Sequence, residues 1–108
     1  MTPTTERYLV ECAKRLREHY GVDHQLGKLE EELIELLLEV RRLRQGRSSM
    51  FSPELLDEMV DVQFTLFQLK EIIKDAPGCN YDFDLEVTLM NNLIAKAARA
   101  VNSITKVD

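Results

Sequence analysis

Pro53-Glu54-Leu55-Leu56-Asp57-Glu58-Met59-Val60-Asp61-Val62-Gln63-Phe64-Thr65-Leu66-Phe67-Gln68-Leu69-Lys70-Glu71-Ile72-Ile73 is the stretch from which the rest of the chain can be read. Ser52 ahead of Pro53 supplies an N-cap followed by proline at the first helical position, a strong start signal. The helix so begun should run to about Lys74, and Asp75-Ala76-Pro77-Gly78 should close it. Met59, Val60, Val62, Phe64, Leu66, Phe67, Leu69, Ile72 and Ile73 make it apolar on nearly every side. Such a helix is buried on more than one face. Four helices in one small chain have difficulty enclosing it, so a second subunit is expected to cover the remainder, as a homodimer or tetramer with a largely apolar contact.

Working outward, the preceding helix should begin near Asp23 or His24 and end about Gln45. Leu26, Leu29, Leu33, Leu36, Leu37, Val40 and Leu43 form its apolar stripe. Gly21 and Gly46 bracket it as stop signals. A first helix capped by Thr4 or Thr5 should reach Tyr20, with Leu9, Cys12, Ala13 and Leu16 at helical spacing. After a loop continuing to about Asp82, a fourth helix from about Phe83 carries Leu85, Leu89, Leu93, Ile94, Ala97, Val101 and Ile104. The expectation is an all-α fold, a four-helix bundle with residues 1–108 as one domain.

Composition narrows the function. The 108 residues carry 19 acidic and 14 basic groups, for a net charge of −5. A general nucleic-acid binder shows the opposite bias, so a nucleic-acid polymer is not the expected partner. No apolar run approaches the roughly 20 residues that span a bilayer, and the first residues lack the apolar core of a signal peptide. Cys12 and Cys79 have neither metal-ligand nor redox spacing, so free thiols in a reducing cytoplasm are expected.

Two short acidic stretches carry the chemistry. Lys28-Leu29-Glu30-Glu31-Glu32-Leu33-Ile34-Glu35 lies on the second helix, and Glu58-Met59-Val60-Asp61 lies on the third. Residues three apart on an α-helix are separated by about 60° around the axis and about 4.5 Å along it. Glu32 with Glu35, and Glu58 with Asp61, therefore form paired carboxylates on one face each, and Glu31 joins Glu35 at a spacing of four. A short connection favours antiparallel packing of the two helices, which brings the patches face to face. Four carboxylates so placed repel unless a cation sits between them, and Mg²⁺ or Mn²⁺ suits oxygen ligands. A Glu-x-x-Glu pattern alone reads as a solvated face. Asp61, flanked by Val60 and Val62 in the most apolar helix, argues otherwise unless a buried Arg or Lys satisfies it.

The combined pattern, Glu31-Glu32-Leu33-Ile34-Glu35 followed by Glu58-Met59-Val60-Asp61, resembles the signature of the MazG-like all-α nucleoside triphosphate pyrophosphohydrolases. Around it, His19-Tyr20-Gly21-Val22-Asp23-His24-Gln25-Leu26 and Asp61-Val62-Gln63-Phe64-Thr65-Leu66-Phe67-Gln68-Leu69 resemble the segments that flank the motifs in small members. The resemblance covers about residues 15 to 74. It implies hydrolysis of a nucleoside triphosphate to the monophosphate and pyrophosphate. It implies Glu32, Glu35, Glu58 and Asp61 as Mg²⁺ ligands, with Glu31 an accessory ligand or the group orienting the attacking water, and Glu35 shared between metal and catalysis. Lys28 is either a phosphate contact or an ordinary helix-surface lysine. Asn92, Lys96 and Arg99, which share a face of the fourth helix beside Asn91, are the sugar or phosphate contacts the family often draws from there. A phosphoribosyl-ATP substrate, or a catalytically silent helical interaction module of the same fold, are the alternatives.

His19 and His24 lack a Glu-x-x-His arrangement and read as surface residues near a turn. The run Arg41-Arg42-Leu43-Arg44-Gln45-Gly46-Arg47 sits where cations complement a helix C-terminus.

Overall fold

The computed structural model describes residues 2–79 and 85–107. Among them are four helices and no strand: α1 (Pro3–Tyr20), α2 (Val22–Arg44), α3 (Pro53–Asp75) and α4 (Leu85–Val107). Contacts divide the chain into two compact units, Met1–Ile73 and Lys74–Asp108.

In the first unit the helix boundaries follow local chemistry. Thr2, not Thr4 or Thr5, caps α1: its Oγ1 accepts from the Thr5 backbone N–H at 3.1 Å, and Pro3 takes the first helical position. Proline has no N–H to leave unsatisfied there, so the start moves upstream of both expected threonines. Gly21 alone joins α1 to α2, with φ 88° and ψ 161°. That conformation is accessible essentially only to glycine, and it reverses the chain within one residue. Its N–H donates to the Arg17 carbonyl at 2.8 Å, closing α1, and its own carbonyl accepts from Gln25 N–H at 3.2 Å, opening α2. Ser52 caps α3 as its position predicts, Oγ accepting from Leu55 N–H at 3.1 Å.

The three helices of this unit meet along polar as well as apolar side chains. Ala13 and Leu55 are buried apolar positions, while Gln25, Glu39, Thr65, Gln68 and Glu71 are buried polar ones. Arg17 on α1 donates to the Glu71 carbonyl of α3 at 3.3 Å, and Gln25 Nε2 on α2 donates to the Leu16 carbonyl of α1 at 3.3 Å. Cys12 and Cys79 are free thiols.

Within the first unit, part of the apolar surface of α3 is left uncovered. Leu56, Met59, Val60 and Leu66 are exposed, as are Leu33, Ile34, Leu37 and Leu38 of α2. In the second unit α4 leaves Leu93, Ile94, Val101 and Ile104 each about 60% exposed. The expected loop to Asp82 and the expected start at Phe83 lie outside the described residues. Among the described residues, no helix is long and apolar enough to cross a membrane.

Candidate metal centre and adjoining cavity

Glu32 and Glu35 stand on one face of α2, Glu58 and Asp61 on one face of α3, and the two faces meet. One carboxylate oxygen from each of the four lies within 4.8 Å of all the others. The pairing runs up one helix and down the other. Glu32 feels Asp61 as its strongest charged neighbour, while Glu58 feels Glu35 first and Glu39 last. That order fits α2 and α3 running antiparallel at this point, as the short connection predicts.

The electrostatics are those of crowded anions. Burial pushes the Glu32 carboxyl up from 4.5 to about 7, helped by repulsion from Asp61, Glu35 and Glu58. Glu58 is raised as well, first by burial and then by its contact with Glu35. Oε2 of Glu32 and Oε2 of Glu58 are both buried and without a hydrogen-bond partner. An orphaned buried acceptor is uncommon in folded proteins and asks for an explanation. Among the described residues no Lys or Arg forms a salt bridge with any of the four: Lys28 is engaged by Glu31 at 3.0 Å, its ammonium feeling Glu32 and Glu35 only at longer range, and Arg42 by Glu39 at 3.0 Å. Among the described residues no buried Arg or Lys satisfies Asp61. Asp61 is itself exposed, so the cost of burial falls on Glu32 and Glu58 and not on Asp61. An all-oxygen donor set with two orphaned acceptors, and no salt-bridged cation among the described residues, fits a hard divalent cation such as Mg²⁺ or Mn²⁺.

Beside the cluster lies a cavity of about 400 Å³. Glu32 and Asp61 belong to both. Gln25, Thr65 and Gln68 provide its buried lining, and Leu16 and Phe64 add apolar surface. Tyr20, His24 and Lys28 form its exposed lining. The Tyr20 and His24 rings are stacked, with centroids 4.5 Å apart and planes at 27°. A volume of this size, mixing aromatic walls with a few polar groups, is usual for a small-molecule site.

The remaining expected residues fall as follows. Glu31 is exposed, outside the four-carboxylate cluster, and bridged to Lys28, whose ammonium is held charged to higher pH by that contact. Asn92, Lys96 and Arg99 are exposed on α4, in the second unit. Their assignment to substrate rests on the family resemblance alone. Arg41 and Arg44 are exposed near the end of α2. Glu39 was not foreseen: it continues the acidic line of α2 one turn beyond Glu35, buried and neutralised by Arg42. The spacing of Glu32, Glu35 and Glu39 contained that signal. The polar lining from Gln25, Thr65 and Gln68 was also not foreseen, because a helix-wheel reading ranks such residues as surface.

No protein-family model matches this chain, nor does any curated protein or solved structure.

Proposed function

We propose that this chain is a Mg²⁺-dependent, MazG-like nucleoside triphosphate pyrophosphohydrolase, converting a (d)NTP to the (d)NMP and pyrophosphate. One observation carries the reading. Glu32, Glu35, Glu58 and Asp61 converge, with buried oxygens left unpartnered, at the edge of a cavity large enough for a nucleoside. Crowding that raises carboxyl groups without a salt-bridged cation costs folding free energy, and such clusters persist mainly where a ligand relieves the repulsion.

The four carboxylates would hold the divalent ion, which supplies charge neutralisation for the triphosphate and acidifies a coordinated water. The chain's own groups do the rest. Glu31 and Glu35, one helical turn apart on α2, are the groups to orient the attacking water and take its proton. Lys28, at the cavity and one turn before Glu32, offers its ammonium to a phosphate oxygen. Sugar and phosphate contacts from Asn92, Lys96 and Arg99 are what the family resemblance alone would assign. No covalent intermediate is involved, so no Ser–His or Cys–His arrangement is needed.

Self-association belongs to the same proposal. The exposed apolar side chains of α2, α3 and α4 are more than a monomer ordinarily presents to water, and a second copy of the chain is the partner that covers them.

The test is pyrophosphate release from a panel of canonical and modified dNTPs with Mg²⁺ or Mn²⁺. Asp61→Ala and Glu35→Gln should each lose about 100-fold or more, since even groups that merely orient a metal ligand are worth roughly 10–100-fold. Helical circular dichroism should be unchanged. Turnover that is undiminished in both variants, or no release from any nucleotide tried, would remove the proposal.

A further inference from the structure

The connection between α2 and α3 gathers positive charge and bare apolar surface in one short stretch. Arg41, Arg42, Arg44 and Arg47 fall within seven residues, and no acidic residue lies between Glu39 and Glu54, in a chain whose net charge is −5. Arg42 is paired with Glu39, whereas Arg41, Arg44 and Arg47 are exposed and form no ion pair among the described residues. The carbonyls ending α2 favour a cation in its last turn, but that attraction fades beyond the turn, and like charges a turn apart repel. Arg47 is nevertheless held close. Gly46 at φ 72° ends α2 in a Schellman cap, its N–H donating to the Leu43 carbonyl at 3.1 Å and the Arg47 N–H to the Arg42 carbonyl at 2.8 Å. Such caps commonly set two apolar side chains together at the positions of Arg42 and Arg47. Here both are arginines, so the cap tightens a cationic cluster instead of an apolar contact. Beyond it, Ser52 N–H donates to the Ser49 carbonyl at 3.1 Å, a turn with Met50 and Phe51 as its two central residues. Phe51 N–H donates to Ser49 Oγ at 3.1 Å and Ser48 Oγ to Ser52 Oγ at 3.3 Å, which fixes the turn. Its apex stays bare: Met50 is 70% exposed and Phe51 87%. Turn centres ordinarily take Gly, Asn, Asp or Pro, and two large apolar side chains there gain nothing from the fold.

We propose that this connection is a membrane-docking tip whose occupant is the surface of an anionic lipid bilayer. Met50 and Phe51 enter the boundary between headgroups and acyl chains, and Arg41, Arg44 and Arg47 meet lipid phosphates. Four residues of chain separate Arg47 from Phe51, at most about 14 Å, so wedge and charge act on one patch of bilayer. Arg41 and Arg44 line, with Gln45, a depression of about 320 Å³, room enough for a headgroup phosphate. Charges more than about 8–10 Å from the bilayer are screened, so this local cluster sets the attraction and the net charge of the chain does not. A second copy of the chain is a poor occupant, because a two-fold contact here sets the same four arginines against themselves. A nucleic-acid strand would use the guanidinium groups and stack on Phe51, but it leaves Met50, which has no π face, in water. A bilayer uses all of them.

The chain has no tryptophan, so Phe51→Trp gives the full-length protein a single indole fluorophore at the apex. Its emission should shift to the blue with vesicles of phosphatidylcholine and phosphatidylserine. Phosphatidylcholine vesicles alone, or a single-stranded oligonucleotide, should leave it unmoved. In vesicle co-sedimentation the wild-type protein should bind the mixed vesicles and come off in about 1 M salt, where screening closes to about 3 Å. Arg44→Gln and Arg47→Gln should each weaken binding about fivefold. Phe51→Ser should weaken it about tenfold or more, with helical circular dichroism unchanged in all three. No binding of wild-type protein to the mixed vesicles overturns the inference, as does binding that these variants leave intact. An emission shift produced equally by the oligonucleotide, or by raising protein concentration without lipid, overturns it too, by assigning the tip to a nucleic acid or to a second copy.

Discussion

Glu32 of α2 and Asp61 of α3 face each other across the helix seam, with carboxylate oxygens within 4.8 Å, and both also line the adjoining cavity. The half-buried Glu32 has its Oε2 enclosed without a partner, whereas Asp61 is open to solvent. This pair joins the two parts of the site, because a ligand held at one is in reach of the other. At Glu32 burial and like charge coincide, and several measurable consequences follow from that.

Divalent ions should stabilise the protein, because they bind a cluster that exists only in the folded state. At ten times the dissociation constant the gain is about 1.4 kcal/mol, and for a chain of this size that raises Tm by roughly 5–10 °C. Thermal unfolding with Mg²⁺ or Mn²⁺ against EDTA measures it, and Glu58→Gln should lose most of the shift. Equal melting with and without metal would argue that the carboxylates hold no ion.

In metal-free buffer, stability should fall as pH rises from about 5 to about 7.5. Glu32 is raised to about 7 in the fold against 4.5 unfolded, and Glu58 moves the same way. Between those values the folded chain binds protons that the unfolded chain has lost, so the slope of stability with pH is negative. The contribution is fully present below about 4.5 and is lost as pH passes through about 7. Glu32→Gln cannot titrate, so the wild-type Tm should drop relative to it across this window. A difference that stays flat, or grows in the wild type's favour, contradicts the crowding.

Two backbone devices can be checked independently of function. Gly21→Ala places a Cβ at φ 88°, ψ 161°, where nothing lies within 4 Å, so its cost is conformational and about 1–3 kcal/mol. Ser52→Ala removes the acceptor for Leu55 N–H and should cost about 1 kcal/mol. Urea unfolding gives both values. A Gly21→Ala variant as stable as wild type would show that the α1–α2 turn is not held as described.

Sedimentation should find the chain associated at micromolar concentration, with a Tm that rises with protein concentration. Replacing exposed Leu93 and Ile94 with Lys should lower the sedimentation coefficient if α4 lies in the contact. A wild-type monomer at every concentration would leave the apolar surface of α2, α3 and α4 without its proposed cover.

Much of the helical organisation was legible in the residues themselves, because its causes are local. Ser52-Pro53 starts a helix wherever it stands before an apolar run, and Gly21 permits a reversal that other residues resist. The i, i+3 spacing alone set Glu32 beside Glu35 and Glu58 beside Asp61. What spacing could not determine is which flank of each helix turns inward, since that depends on packing between segments distant in sequence. Within the cluster, tertiary structure made Glu32 and Glu58, and not Asp61, the carboxylates with buried oxygens. It also drew Gln25, Thr65 and Gln68 into a buried polar lining that no periodicity marks. Charge and helix signals act within a turn or two, whereas a cavity forms only where separate helices fail to fill the space between them.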